Sequence, residues 1–303
     1  MKISGFTLIR NGTRFDYPYL ESLYSLLPLV DQLVINVGLG DDNTFDQIRK
    51  FSDNEGRGKV QIFESDWQIN NPEKKQGGLI LSEQTNLSLQ RTTGDWCVYL
   101  QADEVLHEDD LAGIRGQIEK NHARTEVEGL LFDYCHFYGS FDVIQHSRSA
   151  YRREVRAFRK SCGAISVGDA QSFRKPDGSK LRVIHAGARI FHYGWVRTPN
   201  AMREKTFFLD QLYHGDPSPE NAKKGTPHTG DNYRYKKIWG LRPFRGQHPA
   251  VMNNRIQNQG WHWDLKNSPI IFSWKDSKRV ILDILERITG YRFFEYRSYK
   301  LIR

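Results

Sequence analysis

Two adjacent carboxylates that directly follow a short hydrophobic segment are the residues of this sequence best placed to do chemistry. Asp103 and Glu104 come just after the apolar residues 96–100. In parallel α/β sheets, ligands bind beyond the carboxyl ends of the strands. Carboxylates at that position can hold a divalent cation such as Mg²⁺ or Mn²⁺ against the phosphates of a ligand. The pair is equally compatible with a helix-capping aspartate beside a solvated glutamate.

The segments that must position these carboxylates alternate between two hydrophobic periods. Short apolar runs predict strands at residues 3–9, 32–37, 60–63 and 96–100. Helical spacing predicts helices at about 19–27, 44–51, 79–90 and 109–120. Strands that alternate with helices over some 120 residues predict a parallel sheet.

The second half of the chain is less regular. Further strands are expected at 129–138, 155–159, 182–185 and 189–193, and a helix at 201–213. Residues 214–269 show weak periodicity, and Val280, Ile281, Ile284, Leu285 and Ile288 then form a helical stripe that ends at Gly290. We therefore expect an α/β ligand-binding domain at 1–200 and a helical, loop-rich C-terminal elaboration at 201–303.

Composition narrows the function classes. The 303 residues include 44 Lys and Arg against 36 Asp and Glu, a net charge of +8 that suits an anionic ligand. Because the positive charge is spread along the chain, it does not indicate a nucleic acid partner. Three cysteines without paired spacing argue against a disulfide framework and a cysteine zinc site. Together with the lack of a signal-peptide pattern or of an apolar run of roughly 18 residues, they predict a cytoplasmic protein.

Five short motifs, taken in order, resemble the family-two inverting glycosyltransferases of GT-A fold. They are Arg10-Asn11 after the first strand, the acidic glycine-containing turn with Asp41 at 38–44, Asn86 on a helix, Gly94-Asp95-Trp96, and Asp103. The resemblance covers roughly the first 120 residues and returns at 190–197. It implies a Rossmann-like, mostly parallel sheet flanked by helices. It also implies transfer of a sugar from a nucleotide-diphosphate sugar to an acceptor hydroxyl, with inversion and with help from Mn²⁺ or Mg²⁺.

The resemblance also implies roles for individual residues. The donor would contact a set of polar residues from both parts of the match, namely Arg10, Asn11, Asp41, Asn86, Asp103 and Arg197. The metal ligands would be Asp103 and His192, with His185 as the competing histidine. Asp169 corresponds to the family's catalytic carboxylate, and Glu104 and Asp133 are its alternatives as the base.

Two departures from the family pattern bear on these roles. The family's metal motif is usually Asp-x-Asp, whereas this chain has Gln101-Ala102-Asp103 and keeps only the second acid. Val37 and Gly38 stand where the family often has an aspartate pair that reads the base and ribose. Asp41 or Asp42 would have to take over that task, unless they only form the turn.

Two cationic segments leave their roles open. Residues 152–160 alternate basic and apolar side chains, so they either hold a phosphate or an anionic acceptor, or protect a sheet edge. The tail at 291–303 mixes aromatic rings with cations. It would either lie on the inner surface of the membrane, near a lipid-linked acceptor, or pack against its own domain.

Two other classes of function fit part of the pattern. A nucleotidyltransferase also needs a metal, phosphates and an acidic strand end, but residues 10–14 contain little glycine for its nucleotide loop. A non-catalytic nucleotide- or carbohydrate-binding protein would fit Gln101, the many aromatic residues and the net charge. The expected partners are thus a nucleotide-sugar donor and a glycan or lipid-linked acceptor.

Overall fold

The structure is a computed structural model that describes residues 1–215, 233–268, 270 and 274–302. Within that part of the chain, no helix combines the length and the apolar character that crossing a bilayer requires. Of the stretch for which the sequence predicts irregular structure, residues 216–232 and 269 lie outside the described residues.

The first hundred residues form the parallel half of one large sheet. Its strands are β1 (Ile3–Ile9), β2 (Gln32–Gly38), β3 (Val60–Ser65) and β4 (Trp96–Tyr99), in the order β3-β2-β1-β4. Helices α1 (Tyr19–Leu26), α2 (Thr44–Glu55) and α3 (Leu79–Gln90) connect them. All three strand pairs are parallel. The predicted alternation of strands and helices is therefore confirmed in this half.

The central strand β1 is buried on both faces, which explains its nearly continuous apolar sequence. Ile3 and Ile9 pack into one hydrophobic cluster, with α1, α2 and α4 (Glu108–Asn121). Phe6 and Leu8 point to the opposite face and pack into a second cluster, with α3. Because side chains alternate along a strand, the sheet separates two cores.

Strands in mixed orientation extend the sheet in the second half. They are β5 (Glu104–Leu106), β6 (Gly129–Tyr138), β7 (Ser140–Gln145), β8 (Arg153–Arg159) and β11 (Arg182–Trp195). Strand β8 lies between β4 and β6 and is antiparallel to both, whereas β11 is parallel to β6 and antiparallel to β5. A separate hairpin consists of β9 (Ile165–Val167) and β10 (Ser172–Arg174).

The C-terminal part returns to this sheet. It contains α5 (Pro199–His214), β12 (Leu241–Pro243), α6 (Asn253–Gln257), α7 (Trp274–Thr289) and β13 (Lys300–Leu301). Strand β12 pairs with β7, and β13 pairs with β11. The α/β fold predicted from the sequence is confirmed, with a parallel half, a mixed half and a helical and irregular C-terminal part.

Two predictions about the second half were wrong. The strands expected at 182–185 and 189–193 are one strand, β11, with a register shift at its middle where Gly187 adopts φ +70°. The basic segment 152–160 is not a sheet edge, because β8 has neighbours on both sides. It is not a phosphate-binding strip either, since its arginines bond to protein groups, namely Arg152 to Glu295, Arg153 to Asp133, Arg156 to Glu104 and Arg159 to the carbonyl of Val127.

Candidate active site

A cavity of about 260 Å³ opens beyond the carboxyl ends of β1 and β4. The residues Gln101-Ala102-Asp103 after β4 form one wall, and His192 and Gly194 of β11 form another. The turn between β9 and β10 supplies Asp169, and α5 covers the remaining side. Four of the predicted site residues, Arg10, Asp103, Asp169 and His192, therefore face the same space.

Asp103 is buried at the centre of a group of cations. Its Oδ2 atom lies 3.1 Å from Nζ of Lys205 and 3.7 Å from a guanidinium nitrogen of Arg197. Its Oδ1 atom lies 3.7 Å from Nε2 of His192. The ring of Tyr17 contacts both cations, at 4.5 Å from Cζ of Arg197 and 5.0 Å from Nζ of Lys205. The carboxylate is thus fully compensated by side chains of this chain.

These neighbours fix the charge states. Burial alone would raise the pKa of Asp103, but Lys205, His192 and Arg197 together lower it. Burial and the nearby Arg197 lower the pKa of Lys205 to about 8, against the opposing pull of Asp103. At neutral pH the site therefore holds an ionised carboxylate and a mostly charged ammonium.

His192 is held by a second histidine. Nδ1 of His192 lies 2.8 Å from Nδ1 of His136, whose Nε2 lies 2.7 Å from the carbonyl oxygen of Tyr151. Burial, followed by the neighbouring His192, lowers the pKa of His136 to about 3, so His136 is neutral. A neutral His136 that donates to the carbonyl must accept from His192. Nε2 of a neutral His192 then presents its lone pair toward Oδ1 of Asp103, 3.7 Å away.

Gly194 makes room for this group. A Cβ atom at that position would lie 2.6 Å from Nε2 of His192 and 3.2 Å from Oδ2 of Asp103. The backbone carbonyl of Gly194 also accepts a hydrogen bond from Nζ of Lys205 at 2.7 Å. The glycine therefore allows the ammonium, the imidazole and the carboxylate to come close together.

Below the cavity, Glu104 and Arg156 form a fully buried ion pair. Two guanidinium nitrogens of Arg156 donate to the carboxylate at 2.8 and 2.9 Å, and the Tyr134 hydroxyl donates to it at 2.7 Å. Arg156 also donates to the carbonyl of Gln171, close to Asp169. The pair connects the end of β4 to the turn between β9 and β10, so Glu104 is a structural group and no longer a candidate base.

Breaking this pair is expected to destabilise the fold strongly. In Arg156→Met the carboxylate of Glu104 stays buried without its partner, which should lower the free energy of unfolding by about 3–5 kcal/mol. Arg153→Met on the same strand is the matched control, because its ion pair with Asp133 is partly exposed and should contribute about 0–1 kcal/mol. Urea unfolding measures both variants, and equal losses would contradict the structural role.

Asp169 occupies a tight turn. Its carboxylate accepts a hydrogen bond from the Tyr213 hydroxyl at 2.9 Å and one from the backbone N–H of Gln171 at 3.3 Å. Ala170 next to it has φ +62°, which is uncommon for a residue with a Cβ atom. Strained backbone of this kind concentrates at functional sites. The turn therefore holds Asp169 at the cavity wall.

Three of the predicted donor contacts lie around an adjoining cavity of about 390 Å³. Arg10, Asn11 and Asp41 line it, and Arg10 lines the first cavity as well. The Asn11 amide donates to Asp41 at 2.7 Å, and Nε of Arg10 donates to the carbonyl of Leu39 at 2.8 Å. The loops after β1 and β2 are thus joined into one surface, with a fixed cation between the two cavities.

The structure places the other predicted residues differently. Asn86 bonds both the carbonyl and the N–H of Ser166, so it fastens α3 to β9. Arg197 is fully buried and donates to the carbonyl of Phe15 as well as approaching Asp103. His185 interacts electrostatically with Arg153 and Asp133 instead of with Asp103.

Lys205 is the site residue that the sequence reasoning missed. It lies on α5 among residues whose helical spacing puts them on one face, toward the cavity. They are Met202, Lys205, Thr206, Leu209 and Tyr213. A lysine within an otherwise mostly uncharged helical stripe is a signal that could have identified it, since buried lysines need a partner. This pattern predicts that the lysine is buried, but it does not predict that Asp103 is its partner.

The side chains around Asp103 do not fit a divalent cation. Among the described residues, no group of three or more His, Cys, Asp and Glu side chains has a metal-binding arrangement. Asp103 and His192 would offer two ligands, but the ammonium of Lys205 already lies 3.1 Å from the carboxylate. A second cation at that distance would be strongly repelled. The family motif would place its other acid at Gln101, which has no charge to compensate this repulsion.

Comparison with protein-family models gives no match, and neither does comparison with curated proteins. Among solved structures, the chain is similar to S. aureus TarS 1–349 in complex with UDP-GlcNAc, at 19% identity over 45% of this chain and 35% of that one, with a TM-score of 0.32. S. aureus TarS is similar at 13% identity over 74% of this chain and 41% of that one, with a TM-score of 0.38.

A third similar structure is the mannosyltransferase PcManGT from Pyrobaculum calidifontis in complex with GDP-Man and Mn²⁺. The identity is 13%, over 54% of this chain and 45% of that one, and the TM-score is 0.37. The chain thus matches less than half the length of each of these three structures. No family is shown for this chain by these comparisons.

Proposed function

We propose that this protein is a glycosyltransferase that moves a sugar from a nucleotide-diphosphate sugar to a hydroxyl of a glycan or lipid-linked acceptor. One observation carries the proposal. A buried ammonium, Lys205, and a separate carboxylate, Asp169, line the same cavity beyond the carboxyl ends of the parallel strands. Glycosyl transfer needs one group of each charge, the cation for the leaving diphosphate and the carboxylate for the acceptor proton.

The cations are suited to the leaving group. Negative charge develops on the diphosphate oxygen as its bond to the sugar breaks, and a fixed cation in a dry site stabilises that charge. Lys205 lines the first cavity, and Arg10 lies where the two cavities adjoin. We place the diphosphate against these two side chains and the nucleoside in the cavity lined by Asn11 and Asp41.

The reaction would then be a single displacement with inversion. The acceptor oxygen attacks the anomeric carbon, and the bond from that carbon to the phosphate oxygen breaks with its electron pair left on the diphosphate. The acceptor proton passes to Asp169. Of the three carboxylates proposed for the base, Glu104 is fixed in its ion pair with Arg156, and Asp133 is paired with Arg153 on β8. Asp169 is the one that lines the cavity.

In this proposal cationic side chains take the place of the Mn²⁺ or Mg²⁺ that the family resemblance implies. The reason is that two cations, Lys205 and Arg197, already lie beside the carboxylate of Asp103. We expect turnover with excess EDTA to stay within about twofold of turnover with Mn²⁺. An ion that takes no part in the reaction should change the activation barrier by less than about 0.4 kcal/mol.

The test is a panel of nucleotide sugars, each assayed for release of the nucleoside diphosphate with and without acceptor mixtures, in EDTA and in Mn²⁺. Release of a diphosphate from one donor in EDTA supports the proposal. Donor binding without turnover would identify a binding protein, and release of pyrophosphate from a nucleoside triphosphate would identify a nucleotidyltransferase. Turnover in Mn²⁺ alone would keep the transferase and overturn the metal-free site.

A further inference from the structure

Helix α7 packs on the protein through its charged side. Asp283, 4% exposed, accepts hydrogen bonds from the indole N–H of Trp239 at 3.0 Å and from Arg287 at 3.1 Å. Glu286, one turn further on, forms ion pairs with Arg148 at 3.1 Å and Arg152 at 3.2 Å. Ion pairs with Arg148, in the loop between β7 and β8, and with Arg152, directly before β8, thus hold the helix on the protein.

The apolar stripe of the same helix faces away from the protein. Ile281, Ile284, Leu285 and Ile288 follow one another at helical spacing, and all four are exposed, Ile281 at 59% and Ile288 at 76%. Trp274, one heptad before Ile281, is 90% exposed. Amphipathic helices of soluble proteins normally turn such a stripe toward the core. This helix is oriented the other way.

The segment after α7 extends the same apolar character. Tyr291, Phe294 and Tyr296 are exposed, Phe294 at 89%. Large exposed apolar side chains that recur along residues 274–296 mark a candidate interaction site. We call the exposed residues of 274–301 the C-terminal surface.

The charged side chains around the C-terminal surface indicate which kind of partner binds it. Every charged side chain that is exposed within residues 276–301 is a cation, and these are Lys278, Arg279, Arg287, Arg297 and Lys300. The four acids of that stretch, Asp276, Asp283, Glu286 and Glu295, are buried or half-buried. Arg279, Arg287 and Arg297 also pair with three of these acids. Apolar side chains whose exposed charged neighbours are cations are the pattern of helices that lie in the interface of an anionic bilayer.

We infer that the C-terminal surface docks on a bilayer that contains anionic phospholipids, with Ile281, Ile284, Leu285 and Ile288 inserted below the headgroups. The aromatic rings lie at headgroup depth, where Trp and Tyr side chains are favoured, and the cations meet the lipid phosphates. The inference is independent of the proposed transfer reaction, because it uses none of the residues around the cavity. It extends to α7 a membrane contact that the tail sequence alone suggested.

The test uses the full chain and vesicles of phosphatidylcholine with or without 30% (about one lipid in three) phosphatidylglycerol, a content that gives the surface a negative potential. We expect co-sedimentation with the anionic vesicles at low salt, and weaker binding as the salt concentration rises. Brominated lipids should quench tryptophan fluorescence in the wild type, and this quenching should decrease in Trp274→Phe. A wild type that does not bind anionic vesicles at low salt overturns the inference.

Variants assign the binding to this surface. Ile281→Glu with Ile288→Glu should weaken vesicle binding about tenfold or more, and Lys278→Gln with Arg279→Gln should also weaken it about tenfold or more. The matched control is Ile165→Glu, an exposed isoleucine of β9 outside the C-terminal surface, which should bind like the wild type. Circular dichroism checks that each variant is folded.

Two results for the variants would overturn the inference. Unchanged vesicle binding of the folded isoleucine variant would exclude α7 as the docking element. A wild-type dimer in solution that the isoleucine variant converts to a monomer, without a change in vesicle binding, would show that a second copy of this chain covers the surface.

Discussion

Replacing Asp169 by asparagine is expected to lower turnover by about 10²–10⁴-fold, the usual contribution of a general base. The side chain keeps its size: its amide oxygen can accept the hydrogen bond from the Gln171 N–H, and its NH2 group can donate to the oxygen of the Tyr213 hydroxyl. The fold and donor binding should therefore be preserved, while the acceptor proton loses its destination. Steady-state transfer rates and calorimetric donor affinities measure the two effects separately.

Two control variants separate catalysis from turn geometry. Tyr213→Phe removes one hydrogen bond to Asp169 but leaves the carboxylate, so its effect on turnover should be much smaller than that of the asparagine variant. Asp133→Asn alters the alternative carboxylate, whose side chain is about half exposed and paired with Arg153, and it should leave turnover near the wild-type value. Near-normal turnover of a folded Asp169→Asn protein would remove Asp169 from the proposed role.

The parallel half of the fold could be predicted because its signals are local. Strands β1, β2 and β4 are short apolar runs that end at Gly, Asn or acidic turn residues, and α3 was predicted with its observed bounds. The neighbours of a strand are set by contacts between distant parts of the chain. The position of β8 between β4 and β6 therefore could not be read from its alternating sequence.

The same distinction applies to the candidate site. The family resemblance led to Asp103 and His192, and their side chains lie 3.7 Å apart. It gave no indication of Lys205, which is 102 residues from Asp103 in the sequence. The ion pair between them depends on α5 folding back over the end of β4. Periodicity predicts such a helix but does not predict the strand against which it packs.

Replacing Lys205 by methionine is expected to lower the turnover number by about 10²–10³-fold, the usual effect of removing one group that stabilises a developing oxyanion. Methionine fills much of the space of the lysine stem but carries no charge, so the leaving diphosphate loses the cation that lines the first cavity. Arg197 remains 3.7 Å from Asp103 and still compensates part of its charge. Transfer rates in EDTA test this expectation, and Lys205→Arg should retain more activity than Lys205→Met.

A second substitution distinguishes a catalytic lysine from one that only neutralises Asp103. In Lys205→Met the buried carboxylate loses its nearest cation, which lowers stability. Adding Asp103→Asn removes that unpaired charge, so the double variant should recover stability in urea unfolding. If Lys205 acts on the diphosphate, turnover of the double variant stays low despite the restored stability. Recovery of stability and turnover together would show that the lysine serves only the charge balance of Asp103, because no cation would then be missing from the reaction.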